Sequence, residues 1–124
     1  MERKRLLVVD DDRMTRMLIP ALLAERHWEI LQASDGAEAI EQVTAIEFDV
    51  IVLDLLMPNV NGFEVLDHLR ARHPHLLKRT IVLSGLAGQK SVADLSEDEI
   101  FKVMRKPFRM KDLVTIILLC AGES

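Results

Sequence analysis

The sequence predicts an α/β domain, with a doubly wound, five-stranded parallel sheet and helices on both faces. Three observations predict it. Short apolar runs of the kind found in strands buried on both sides alternate five times with segments of helical spacing. Such alternation builds a parallel sheet covered on both faces. Polar residues collect where the apolar runs stop, and open sheets of this class bind ligands outside the carboxyl ends of their strands.

The chain has 124 residues, 49% of them hydrophobic. A chain of that size buries roughly two thirds of its unfolded surface, so one domain spanning residues 1–124 is expected. The first strand is "RLLVV", residues 5–9, followed by a helix with Met14, Met17, Leu18, Ala21 and Leu22 on one side. Pro20 inside it predicts a kink, because its ring removes a backbone hydrogen bond. "WEILQA" (28–33) is the second strand, and Ala39, Ile40, Val43 and Ile46 mark the next helix.

"DVIVLD" (49–54) is the most strand-like stretch, β-branched and ended by a carboxylate. "LMPNVNG" (56–62) has loop chemistry. A helix from about Phe63 to Arg72 would bury Phe63, Leu66 and Leu69, with Pro74 helping to stop it. "TIVLS" (80–84) is the fourth strand, "QKSVADLS" (89–96) allows only a short helix, and "IFKVMRKPF" (100–108) holds the fifth strand. The last helix runs from about Lys111 to Cys120, with Leu113, Val114, Ile116, Ile117, Leu118 and Leu119 around most of its circumference. A helix apolar on all sides expects burial on more than one face. Its exposed part would be a contact surface for a partner or a second copy.

Composition excludes several classes. The formal net charge of −4 argues against nucleic-acid binding by this domain. The apolar runs, "LVTIILLC" included, are too short for a signal segment or a membrane span. The single cysteine, Cys120, rules out an internal disulfide and agrees with a cytoplasmic location. His27, His68, His73 and His75 lack metal-ligand spacing and are expected at the surface, and the six methionines are expected in the core.

Three aspartates, Asp10, Asp11 and Asp12, directly follow the first strand. Like charges side by side repel and lose solvation, so the arrangement needs a reason. Asp12 suits the cap of the next helix. Asp10 and Asp11 taken alone fit two readings equally, helix capping or, with Asp54, a hard divalent cation such as Mg2+. Carboxylates also act as nucleophiles toward phosphoryl groups. A phosphoryl group on Asp54 would have its charge balanced by the metal, by Lys106 and by the Ser84 hydroxyl. Ser84 as a solvated loop residue and Lys106 as an ordinary surface lysine are each the simpler reading singly, but less so for four strand ends together.

"LLVVDDD", "DVIVLDLLMPNVNGFEVL", "TIVLSG" and "RKPF", in this order and spacing, resemble the response-regulator receiver domains of two-component signalling. The resemblance covers nearly the whole chain, and D-x-x-M-P-x-x-x-G from Asp54 is its most specific part. It implies a flavodoxin-like sheet of order 2-1-3-4-5, with Asp54 accepting a phosphoryl group from a histidine kinase or phosphotransfer protein. It further implies Mg2+ held by Asp10, Asp11, Asp54 and the backbone carbonyl of Leu56. Ser84 would be the switch hydroxyl, Gly85 the small residue that leaves the site open, and Lys106 the phosphate contact, with a cis bond to Pro107. Such a domain helps its own phosphorylation and dephosphorylation without being a conventional enzyme.

Two features depart from the family. Val103 stands where most relatives carry a switch aromatic, and "SEDEIF" (96–101) replaces the usual Gly-Ala pair before the fifth strand. These leave the chemistry intact but alter the surface expected to signal. A phosphorylation-independent interaction module is the second reading, although degenerate receivers usually lose the acidic pair, the acceptor or the lysine. A small Mg2+-dependent phosphatase would need a cap or insertion that these short loops do not supply.

Overall fold

Leu6, Leu7, Val8 and Val9 are all fully buried, which only a strand in the middle of a covered sheet allows. The computed structural model describes residues 3–57, 61–85 and 98–123. The strands are β1 (Arg5–Val9), β2 (Glu29–Ala33), β3 (Val50–Asp54), β4 (Thr80–Ser84) and β5 (Lys102–Arg105). They form one parallel sheet in the order β2-β1-β3-β4-β5. The helices are α1 (Arg13–Leu22), α2 (Gly36–Ala45), α3 (Gly62–Arg72) and a C-terminal helix (Met110–Cys120). The short helix expected in 89–96, like Pro58 and Asn59 of the expected loop, lies outside the described residues.

Side chains alternate across the strands and divide the core in two. Leu7, Val9, Ile51, Leu53 and Val82 pack with Ala39, Val43, Leu66 and Leu69 of α2 and α3. Leu6, Val8, Val50, Val52, Ile81 and Leu83 pack on the opposite face with Ile19, Leu113 and Ile117 of α1 and the C-terminal helix. The sheet is therefore doubly wound. Burying each such Leu, Ile or Val is worth about 1.5–3 kcal/mol, the main favourable contribution to the fold. No helix among the described residues is long and apolar enough to cross a membrane.

Several helix faces differ from the sequence reading. On α1 the buried positions are Thr15 and Ile19, with Leu23 just beyond, whereas Met14, Met17, Leu18 and Leu22 are exposed. The buried stripe lies roughly 130° around the helix from the apolar one, at 3.6 residues per turn. Phase is the reason: Asp12 caps the helix where the chain leaves β1, and that start turns Thr15 and Ile19 inward. Pro20 sits in the last turn, and the helix ends two residues later.

The methionine expectation also fails in part, since Met14 and Met17 face solvent while Met57 is buried. On α3, Leu66 and Leu69 are buried as expected, Val65 joins them, and Phe63 is only half-buried. The C-terminal helix buries Leu113 and Ile117, half-buries Val114, Ile116 and Leu118, and exposes Leu119. Its apolar circumference is thus largely absorbed by packing on the sheet and α1.

Candidate functional site: an acidic cluster at the carboxyl edge of the sheet

Register brings the site together. Val9 pairs with Leu53, so Asp10 and Asp54 occupy the same level on adjacent strands. Asp54 pairs with Leu83 and Ser84 with Arg105, which puts Ser84 and Lys106 along the same edge. One carboxylate oxygen from each of Asp10, Asp11 and Asp54 lies within 4.8 Å of the other two. Asp10 is fully buried, Asp54 is 3% exposed and Asp11 is exposed, so the cluster has two dry members and one wet one.

Each carboxylate is fixed locally. Asp10 Oδ1 accepts the Asp12 N–H at 2.9 Å, while its Oδ2 is buried with no hydrogen-bond partner. Asp54 Oδ1 accepts the Leu56 N–H at 3.2 Å, and its Oδ2 lies 3.4 Å from Lys106 Nζ. Asp12 turns outward and caps α1, accepting from the Met14 N–H at 3.2 Å and the Thr15 hydroxyl at 3.0 Å. The capping reading therefore holds for Asp12, and the structure separates it from Asp10 and Asp11.

Burial pushes the Asp10 carboxyl up from 3.8 to about 7. The Asp12 N–H and the Lys106 charge oppose that rise, and the Asp54 carboxylate adds to it. An orphaned, buried oxygen beside two more carboxylates is the oxygen-rich, negative environment that a hard divalent cation takes. The donor set fits Mg2+.

The glycine and proline of the motifs have steric roles. A Cβ on Gly62 would stand 2.5 Å from Leu55 Cα and 2.6 Å from Asp54 O, so only glycine lets α3 start against the end of β3. The Lys106–Pro107 bond is cis, as the resemblance implied. Gly85 is less constrained, because a Cβ there would meet Lys106 Cδ at an ordinary 3.7 Å. Ser84 is 2% exposed, which excludes the solvated-loop reading. Lys106, with its side chain 38% exposed, pairs across the edge with nearly buried Asp54.

Val103 is half-buried against the core on the α2 and α3 face, and Phe101 precedes β5. Sequence reasoning missed Arg16, whose Nη1 donates to the Asp10 carbonyl at 2.8 Å and ties α1 to the acidic loop. A basic residue about one turn after an acidic run was the available signal.

The fold and this edge define a class before any relative is considered: an α/β domain carrying a carboxylate cluster and a lysine at its strand ends. A family model, the response regulator receiver domain, matches residues 6–118. The chain belongs to that family. It is 38% identical over 112 residues to Response regulator RR06 of Streptococcus pneumoniae serotype 2, covering 88% of this chain and 49% of that protein. It is 33% identical over 113 residues to Sensor kinase CckA of Brucella abortus, covering 90% of this chain and 12% of that protein.

The chain thus spans half or less of the length of these relatives. Among solved structures, response regulator TrrA of Thermotoga maritima, in complex with Mg2+ and BeF, superposes with a TM-score of 0.77 at 30% identity. That match covers 94% of this chain and 98% of TrrA. Receiver domains are signalling domains of two-component systems, and this chain shares their sheet order.

Proposed function

We propose that this domain is a phosphoacceptor switch that takes a phosphoryl group onto Asp54 from the phosphohistidine of a sensor kinase or phosphotransfer protein. One observation carries the reading: buried Asp54 sits within 4.8 Å of Asp10 and Asp11, and 3.4 Å from Lys106 Nζ. In transfer, an Asp54 oxygen forms the new bond to phosphorus, the P–N bond to the donor imidazole breaks, and that ring keeps the electron pair and takes a proton. Lys106 balances charge on one phosphoryl oxygen, and the Ser84 hydroxyl donates to another. Mg2+, held by Asp10, Asp11, Asp54 and the Leu56 carbonyl, supplies the remaining neutralisation when bound. The same groups orient water for hydrolysis, so the domain assists its own phosphorylation and dephosphorylation.

The domain works as one unit over residues 1–124 in the cytoplasm, through protein contacts and not through nucleic acid. Met14, Met17, Leu18 and Leu22 support a docking role for α1, since they are exposed on the helix that leaves the acidic loop. A kinase or phosphotransfer protein is the partner this surface would meet. A second copy on the C-terminal helix, where Leu119 is 54% exposed, is the competing partner. Sedimentation with Mg2+ and a beryllofluoride mimic distinguishes them, because only the second reading yields a dimer that wild type forms and Asp54→Asn does not.

The test of the acceptor is phosphorylation by acetyl phosphate and Mg2+. Wild type gains one acid-stable, hydroxylamine-labile phosphoryl group, and Asp54→Asn gains none. Equal incorporation by Asp54→Asn would overturn the assignment. The phosphorylation-independent reading draws only on Val103 and the altered lead into β5, and it leaves the retained acidic cluster and Lys106 without a use.

A further inference from the structure

A cavity of about 490 Å3 opens between α2 and α3, away from the acidic edge, lined by Thr44, His68, Arg72 and His73. That volume lies within the ~300–1,000 Å3 usual for small-molecule sites. The neighbouring carboxylates are already engaged. Arg70 takes Asp67 at 2.7 Å and Glu99 at 3.0 Å, while Glu47 takes His75 at 2.6 Å and Arg79 at 3.1 Å. Arg72, His68 and His73 have no carboxylate partner among the described residues. Glu41, three residues before Thr44 on α2, does not line the cavity.

His68 is asymmetric. Its Nε2 is buried without a partner, and its Nδ1 is not enclosed in that way. A proton on Nε2 would be buried with nothing to accept it, which assigns the neutral ring's proton to Nδ1. Burial, and then the positive charges of His73 and Arg72, hold this imidazole below its usual value. The wall therefore offers a neutral N–H donor beside an unpaired guanidinium fork. Thr44 adds no donor, because its hydroxyl already donates to the Ile40 carbonyl at 2.7 Å. A cation fits poorly here, since Arg72 repels it and Asp10, Asp11 and Asp54 are the one metal-competent trio among the described residues.

We propose that the α2–α3 cavity binds a small organic anion, with Arg72 as its charge partner and His68 and His73 as N–H donors. The ligand carries a carboxylate or phosphate, and the cavity has room for an organic frame beyond that group. This site is independent of the reading of Asp54.

The test is imidazole NMR on the whole chain without Mg2+, titrated with citrate, glycerol 3-phosphate or sodium chloride at equal ionic strength. His68→Gln identifies the His68 signals among the four histidines. The proposal expects saturable shifts of His68 and His73 with one of the two organic anions, and none of His27. It also expects a His68 pKa raised by about one unit in the bound state. Arg72→Gln, a substitution at an exposed position, weakens binding about ten-fold or more with the fold retained. The tighter ligand tells a carboxylate source from a phosphoryl source. Shifts that follow ionic strength alike in all three titrations, or equal affinity in Arg72→Gln, overturn the proposal.

Discussion

Asp10→Asn removes the charge from the buried member of the acidic cluster and gives the most informative perturbation. The folded chain holds the Asp10 proton up to about pH 7, whereas an unfolded chain releases it near 3.8. The sign follows from proton binding: between these values the folded state binds more protons, so raising the pH favours unfolding. The penalty is absent below the unfolded value and complete above pH 7. About three units at 1.36 kcal/mol each set a ceiling of about 4 kcal/mol for it.

An asparagine keeps the acceptor for the Asp12 N–H but still buries an amide, so the expected gain is about 2–3 kcal/mol at pH 8 in EDTA. Urea unfolding of both proteins at pH 4, 6 and 8 reads it out. The advantage of the variant should grow with pH and level off above 7. Added Mg2+ should stabilise wild type at pH 8 and leave the variant nearly unmoved, because ligand binding adds stability only where a site exists. A variant advantage equal at pH 4 and pH 8 would refute the burial argument.

Three further predictions address packing, docking and hydrolysis. Gly62→Ala forces a Cβ into backbone at 2.5–2.6 Å and should destabilise by about 1–3 kcal/mol in urea unfolding; an unchanged midpoint would mean that α3 does not need this close approach. Leu18→Glu, on the exposed face of α1, should leave the melting curve and acetyl phosphate labelling intact but slow transfer from a cognate phosphohistidine donor about ten-fold, near the ~1–3 kcal/mol of a buried apolar contact; equal transfer would exclude α1 as the docking face. If Leu56, 61% exposed and two residues past Asp54, shields the site from attacking water, Leu56→Gln should hasten loss of label several-fold in a chase; an unchanged lifetime would remove that role.

The sequence by itself determined the strands and the order of the site residues along the chain. Continuous apolar runs such as those ending at Asp10 and Asp54 have few other solutions, and a parallel sheet carries every strand end to one edge. Gly62 and Pro107 were legible as motif positions, although the reason for Gly62, a backbone 2.5 Å from its missing Cβ, is a tertiary fact.

Phase and environment belonged to the tertiary structure. Periodicity found the apolar stripe of α1 at Met14, Met17, Leu18 and Leu22, yet the helix buries Thr15 and Ile19, because the cap at Asp12 and the path out of β1 set its rotation. Three adjacent aspartates look alike in a sequence. Folding caps a helix with one, leaves one in water and buries one with an orphaned oxygen, since register and desolvation depend on neighbours far along the chain. Arg16 on the Asp10 carbonyl and the half-buried His68 beside Arg72 were hidden for the same reason: hydrogen bonding and burial are properties of the packed chain, and spacing alone does not encode them.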